Sequence, residues 1–176
     1  RGLRVQNSAV HDYADKLNIP VRCPVKLDDE SEINYLKKLK PDMVVVVAYG
    51  KILPEKLLNI ENLSFLNVQA SLLPKWRGAA PIQRAIMMGD KETGISIMKI
   101  VPKLDAGPIL IQSKLSINNK INYLEMSEKM SDLGAKLIID ALELIKNNKA
   151  NFTPQDETKV VYAKKIEKIE SKINWN

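Results

Sequence analysis

The sequence predicts an α/β protein with a Rossmann-like, open and mostly parallel sheet flanked by helices. Helical and strand-like patterns alternate along the 176 residues, which is typical of this class. Four consecutive valines, Val44 to Val47, show no polar alternation and indicate a strand that is buried on both faces. A long apolar stripe near the C-terminal end predicts one extended helix. The chain is long enough for one domain with one substantial core.

The predicted helices follow from their start signals and from the spacing of their apolar residues. Asn7 and Ser8 offer an N-cap for the first helix, and acidic residues at 28–30 favour the start of the second. Pro81 is suited to the first position of another helix. The helices are predicted at residues 8–17, 28–39, 55–60, 80–88 and 124–145.

The predicted strands are shorter apolar runs that lie between these helices. They are predicted at residues 21–24, 43–48, 65–68, 95–101 and 109–115. The chain after residue 151 is predicted to be irregular, with a short helix near Glu167.

Composition excludes several classes of protein. The only cysteine is Cys23 and the only histidine is His11, so a disulfide framework, a zinc site and any mechanism that needs two histidines are excluded. A free cysteine is typical of a reducing cytoplasm, and no apolar run approaches the roughly 20 residues that span a bilayer. The scattered glycines form neither a dinucleotide-binding motif nor a phosphate-binding loop. The net charge of +6 is modest and suits a lysine-rich surface.

Polar residues stand directly after three of the predicted strands, at residues 49–54, 67–74 and 101–107. Ligands of open α/β sheets bind at the carboxyl ends of the strands, so Asn67, Gln69 and Asp105 are expected to converge on one cleft. Simpler alternatives exist for each residue. Asn67 and Asp105 could be turn residues, Ser71 an N-cap, and Trp76 with Arg77 a surface loop.

The order and spacing of these segments resemble the folate-dependent formyltransferase family along nearly the whole chain. The run from Phe65 to Pro81 mixes an apolar strand, a polar Asn, a Pro-ended turn and a Trp-Arg-Gly loop, a mixture that core packing alone would not require. Residues 77–83 and 153–157 are similar to the methionyl-tRNA branch of that family. Further matching segments are residues 45–54, 89–98, 104–107 and 162–165.

The resemblance implies the formyltransferase fold and transfer of a formyl group from 10-formyltetrahydrofolate to the amino group of methionyl initiator tRNA. The implied catalytic residues are Asn67, Gln69 and Asp105, and the donors around the formyl oxygen stabilise the oxyanion that develops. The implied folate-binding residues are Lys51, Ile52, Leu53, Ser71, Leu72, Leu73, Pro74, Val101 and Leu104. Arg1 and Arg4 are implied to contact the tRNA. The resemblance also implies no metal, no membrane partner, a monomer at full length, and a cytoplasmic or organellar-matrix location.

The chain departs from the family at Gln69, where the family's Asn-x-His motif has its catalytic histidine. A glutamine amide can donate a hydrogen bond to an oxyanion, but it cannot carry a proton near neutral pH. Losing a positioned acid–base group typically removes 10²–10⁴-fold of rate. We therefore expect a folded cleft with weak or absent formyl transfer.

The ends of the chain also differ from the family, whose proteins carry a Gly-Thr-Pro loop upstream and a C-terminal β-barrel. The expectation is a fragment with a truncated catalytic domain at residues 1–150 and a wrap-around segment and linker at residues 151–176. Three alternatives remain. They are a formyltransferase acting on an amino-sugar nucleotide, a catalytically dead module that binds folate or tRNA, and a purely structural α/β domain.

Overall fold

The computed structural model describes residues 6–173, and within them it confirms the α/β class. The α-helices of these described residues are α1 (Ala9–Lys16), α2 (Glu30–Leu39), α3 (Glu55–Leu58), α4 (Pro81–Met87) and α5 (Tyr123–Lys146). Their strands are β1 (Met43–Val47), β2 (Ser64–Gln69), β3 (Arg77–Gly78), β4 (Glu92–Lys99), β5 (Ile109–Ser116) and β6 (Tyr162–Ala163). Single 3₁₀ turns lie at Glu157–Lys159 and Lys168–Ser171.

The helix boundaries follow from local capping. The Ser8 hydroxyl accepts the His11 N–H at 3.2 Å, which confirms the predicted cap of α1. Pro81 occupies the first turn of α4, where its missing N–H costs no hydrogen bond. The Asn122 side chain accepts the Glu125 N–H and begins α5. These signals act over three or four residues, so they can be recognised in the sequence.

The main sheet has the order β1-β2-β4-β5, and only its first pair is parallel. The pairs β2–β4 and β4–β5 are antiparallel. The prediction of a mostly parallel sheet is therefore wrong for the described residues. For β4 and β5 the reason is their connection, which spans residues 100–108 without a helix. Parallel neighbours need a longer crossover, whereas a connection of this length returns the chain antiparallel.

Two further local predictions are wrong. β1 is not buried on both faces, because Val45 and Val47 are 39% and 62% exposed. β1 lies at the edge of the described sheet, with β2 on one side only. Residues 21–24 form no strand, since no described strand pairs with them.

The main core lies between the central strands and α5. Leu66, Ile97, Met126 and Ala141 are fully buried or nearly so and belong to one apolar cluster. Gly134 of α5 faces β2, where an added Cβ would lie 3.0 Å from Val68 Cγ1. The absence of a side chain at Gly134 therefore lets α5 pack directly against β2. Among residues 6–173 we find no helix that combines the length and the apolar character needed to cross a bilayer.

The chain after α5 returns across the domain. Thr153 forms a bridge with Ile109 at the start of β5, and β6 pairs in parallel with β3. Arg84 of α4 then donates to the carbonyl oxygens of Lys164 and Lys165 and to the carboxylate of Glu170. The division at residue 150 stays a prediction, although residues 153–170 pack against the elements before it.

Acid is expected to weaken this C-terminal attachment. The Arg84 guanidinium is the main cause that lowers the pKa of Glu170 to about 2, and Arg77 with Lys103 lowers the pKa of Glu157 to about 2. A depressed carboxyl pKa in the folded state stabilises the fold above the ordinary glutamate pKa and loses that effect as pH falls toward 2. The melting temperature should therefore fall between about pH 5 and pH 2. Glu170→Gln should flatten that fall in calorimetry, while Glu128→Gln, at an exposed position of α5, should not.

Candidate active site

The first two predicted site segments leave the sheet at the same edge. β1 and β2 are parallel, with Val47 opposite Val68, so the chain after each strand begins on one side of the sheet. The third segment, residues 101–107, follows β4, which runs antiparallel to β2 and ends with Lys99 opposite Leu66. The expectation that all three segments leave the same edge is therefore wrong. The third segment contacts the chain after β2 through the Asp105 carboxylate, which accepts the Gly78 N–H.

Asn67 and Gln69 lie on β2 and are joined through their side chains. Asn67 Nδ2 donates to Gln69 Oε1 at 3.2 Å, and Gln69 Nε2 donates to the Trp76 carbonyl oxygen at 3.4 Å. Gln69 is only 8% exposed. Its amide therefore accepts on one side and donates on the other, as a neutral imidazole does. One Nε2 hydrogen of Gln69 has no partner among these contacts.

Asp105 binds β3 close to the residue that Gln69 contacts. Asp105 Oδ2 accepts the Gly78 N–H at 2.8 Å, and Gly78 lies two residues after Trp76. Two residues of extended chain span at most about 7 Å, so Gln69 and Asp105 contact neighbouring residues of the segment from Trp76 to Gly78. Both Trp76 (φ 62°) and Asp105 (φ 46°) lie in the left-handed region, which is uncommon for residues with a Cβ. Strained backbone of this kind is often found at functional sites.

Burial raises the pKa of the Asp105 carboxyl above its ordinary value. The Gly78 N–H and the Arg77 guanidinium act in the opposite direction and only partly offset this effect. A carboxylate that is partly removed from water and has a raised pKa accepts a proton more readily than an exposed one. Asp105 is therefore suited to take up a proton during a reaction.

The turn after β2 is held by a buried polar network. Ser96 Oγ donates to the Ser71 carbonyl oxygen at 2.6 Å and accepts the Leu73 N–H at 3.0 Å. Gln112 Nε2 donates to the Leu73 carbonyl oxygen at 3.0 Å and to Ser96 Oγ at 2.7 Å. Two strands thus fix the backbone of residues 71–73. Ser71 caps no helix, so that alternative is wrong.

The remaining predicted folate-binding residues differ in exposure. Ile52 is 81% exposed and Leu104 is 50% exposed, so these two apolar side chains lie at the surface. Lys51 Nζ donates to the Val25 carbonyl oxygen at 3.1 Å. Leu53, Leu72, Pro74 and Val101 are partly buried. Arg1 and Arg4 lie outside the described residues.

The Trp76–Arg77 segment is not a surface loop, since Trp76 is 8% exposed and Arg77 is fully buried. Trp76 Nε1 donates to Asp90 Oδ2 at 2.7 Å, while Arg77 binds Gln155 and Glu157. The sequence pattern predicts no role for Ser96, Gln112 or Gln155. Alternation gives no signal for Ser96, since residues 93–98 of β4 are all buried, and Gln112 is an exposed residue of β5. For Gln155 no local signal exists, because its partners lie about 50 residues or more away.

Comparison with known proteins identifies the family of the chain. The formyl transferase family profile matches residues 2–142, and the chain therefore belongs to the formyl transferase family. It is 48% identical over 177 aligned residues to a methionyl-tRNA formyltransferase of Pelagibacter ubique, and 46% identical to one of a Sulfurihydrogenibium species. Each alignment covers all of this chain and 57% of the relative. The chain thus spans little more than half the length of these relatives.

Two solved structures share the fold. One is an N-formyltransferase of Helicobacter canadensis in complex with folinic acid and dTDP-3-aminofucose, with a TM-score of 0.75 and 22% identity over 97% of this chain and 60% of that one. The other is HypX of Aquifex aeolicus in complex with tetrahydrofolic acid, with a TM-score of 0.71 and 17% identity over 81% of this chain and 24% of that one. At these identities the likeness shows the fold alone.

Proposed function

We propose that this chain is the catalytic part of an enzyme that transfers a formyl group from 10-formyltetrahydrofolate to the amino group of methionyl initiator tRNA. One observation carries the proposal. Gln69, which pairs with Asn67, and the Asp105 carboxylate contact residues only two apart in the chain, Trp76 and Gly78. Similarity along the whole chain to proteins named methionyl-tRNA formyltransferase supports this choice of acceptor.

Formyl transfer to an amine requires groups of these types. An uncharged amine attacks the formyl carbon, and negative charge develops on the formyl oxygen. The bond between the formyl carbon and the folate nitrogen then breaks, so the amine must lose a proton and the departing folate nitrogen must gain one. Amide N–H groups of Asn67 and Gln69 are suited to stabilise the oxygen, where one such donor contributes about 3 kcal/mol. Asp105 is suited to receive the amine proton, because burial raises its pKa. No residue of this trio supplies a positively charged acid, and we propose that turnover is low for that reason.

The folate would bind beside the turn at residues 71–74, with the pterin ring against apolar side chains that include Ile52. Solved structures of the same fold in complex with tetrahydrofolic acid and with folinic acid support a folate as the ligand. Residues 1–150 would then form the catalytic domain, and residues 151–176 would form the wrap-around segment and linker. We propose no metal for the reaction, and a monomer for the full-length protein.

Titration with tetrahydrofolate tests the binding part of this proposal. We expect saturable binding that Ile52→Asp weakens about tenfold or more, since burying such a side chain contributes about 1.5–3 kcal/mol and 1.4 kcal/mol is tenfold. Ile52 is 81% exposed, so the melting temperature should not change. Val10→Asp on α1, at an 80% exposed position, is the matched control and should bind like the unmodified chain. Absence of saturable binding would refute the folate proposal.

A second candidate is a module that binds folate or tRNA without catalysis, and Gln69 is the observation that favours it. Transfer assays with methionyl-tRNA and with an amino-sugar nucleotide, on the chain and on its Gln69→His variant, separate the candidates. Product on methionyl-tRNA supports the proposed enzyme. Product on the amino sugar alone reassigns the acceptor. Folate binding without product in either chain supports the binding module.

A further inference from the structure

A buried arginine and a glutamine connect the Asp105 loop to the strand that Asp105 binds. Arg77 is fully buried, and its Nε and Nη2 atoms donate to Gln155 Oε1 at 3.0 and 2.8 Å. Nη2 also donates to Glu157 Oε1 at 2.7 Å. Arg77 directly precedes Gly78, whose N–H holds the Asp105 carboxylate. Gly78 thus contacts the loop directly through its backbone, while Arg77 binds Gln155 and Glu157.

The other end of Gln155 binds the backbone of the Asp105 loop. Gln155 Nε2 donates to the carbonyl oxygen of Asp105 at 2.8 Å and to that of Gly107 at 2.7 Å. Both hydrogens of the amide group and both lone pairs of its oxygen are therefore used. The orientation of the amide is determined by its partners, because arginine only donates and carbonyl oxygens only accept.

The loop needs this support because one of its residues has an unfavourable backbone conformation. Asp105 has φ 46°, in the left-handed region that residues with a Cβ seldom adopt. On the other side of the loop, a Cβ added at Gly107 would lie 1.7 Å from the Lys99 carbonyl oxygen, so the loop packs directly on the end of β4. The loop is held between the Gln155 amide and the β4 backbone. A change at Gln155 removes one of these two supports.

We propose that Gln155 is a positioning residue for Asp105, which it holds in the left-handed conformation so that the carboxylate meets the Gly78 N–H at the site. Arg77 orients the Gln155 amide for this task. The proposal deepens the proposed function, since the importance of Asp105 rests on formyl transfer. The claim that Gln155 positions Asp105 rests on the hydrogen bonds alone. The proposal predicts that the two hydrogen bonds donated by Gln155 hold the Asp105 loop in place. The hydrogen bonds that Gln155 accepts from Arg77 are not sufficient to hold the loop.

Gln155→Glu and Gln155→Met separate these contributions. The glutamate keeps an acceptor for Arg77 but cannot donate when ionised, whereas the methionine retains the length and loses both functions. Asn151→Ala, at an exposed position of the same segment, is the control. The readout is hydrogen exchange of the Gly78 amide, measured by NMR together with the pH titration of the Asp105 carboxyl carbon.

We expect Gly78 exchange to become at least about tenfold faster in both Gln155 variants, and the Asp105 titration to move toward that of an ordinary exposed aspartate in Gln155→Met. Asn151→Ala should change neither signal. If Gln155→Met does not fold, Gln155→Glu decides the matter, because it keeps the Arg77 contact. Gly78 exchange at the original rate in a folded Gln155→Glu chain would overturn the proposal.

Kinetics add a readout that a merely structural role would not give. In a chain that carries Gln69→His, adding Gln155→Glu should lower kcat about tenfold or more and leave the KM for the folate donor within about twofold. A rise in KM with unchanged kcat would contradict a role through Asp105. If no chain binds folate or forms product, the proposed function fails. The exchange experiment on Gly78 still decides the role of Gln155.

Discussion

Gln69→His should raise the rate of formyl transfer to methionyl-tRNA at least tenfold. The amide of Gln69 already accepts from Asn67 and donates to the Trp76 carbonyl oxygen, a pattern that a neutral histidine can reproduce. The substitution therefore keeps the local hydrogen bonds and adds a group that can gain and lose a proton. A positioned acid–base group typically contributes 10²–10⁴-fold.

The pH dependence of the rate identifies the cause of this gain. The unmodified chain has no histidine in the site, whereas the Gln69→His variant should show an additional limb in its profile near the ordinary histidine pKa of about 6.5. Gln69→Met, which has a similar length and no hydrogen-bonding amide, is the matched control and should not gain activity. Initial rates over pH 5–9 provide the measurement. Equal rates for Gln69→His and the unmodified chain would show that Gln69 does not limit turnover.

Asp105→Asn should lower the transfer rate by about 10²–10⁴-fold while leaving the fold intact. Asparagine can still accept the Gly78 N–H, so the contact that Asp105 makes with β3 is retained. It cannot take up the amine proton. Measured in the Gln69→His chain, where the starting rate is higher, this loss is largest and most easily quantified. Asp140→Asn, at an exposed position of α5, should leave the rate unchanged.

The melting temperature distinguishes a chemical role of Asp105 from a structural one. Burial raises the folded-state pKa of Asp105, so its contribution to stability is complete below the unfolded pKa of about 3.9 and is lost as pH rises through the folded pKa. At pH 7 the ionised carboxylate is then less favourable to the fold than a neutral group. Asp105→Asn should melt at the same temperature or higher at pH 7. Loss of activity together with a large fall in melting temperature would instead indicate that Asp105 is structural.

Local signals in the sequence predicted much of the fold. The caps of α1 and α4 and the apolar stripe of α5 act through groups a few residues apart, so their residue types alone predict the elements. Local residue types likewise predicted β2 and the polar pair Asn67 and Gln69 on it. Asp105 was also predicted, since a polar residue in a loop after a strand is a common position for function.

Other features were decided only by the tertiary structure, because they depend on partners that are far apart in the chain. The antiparallel pairing of β4 with β2 follows from where the strands meet in space, and it moved the Asp105 loop to the other edge of the sheet. Arg77 would be expected at the surface by residue type, yet it is buried because Gln155 and Glu157 return from beyond α5 to bind it. A sequence pattern describes which groups are present within a few residues. It does not specify which of them come into contact, because that choice is made by the packing of the whole chain.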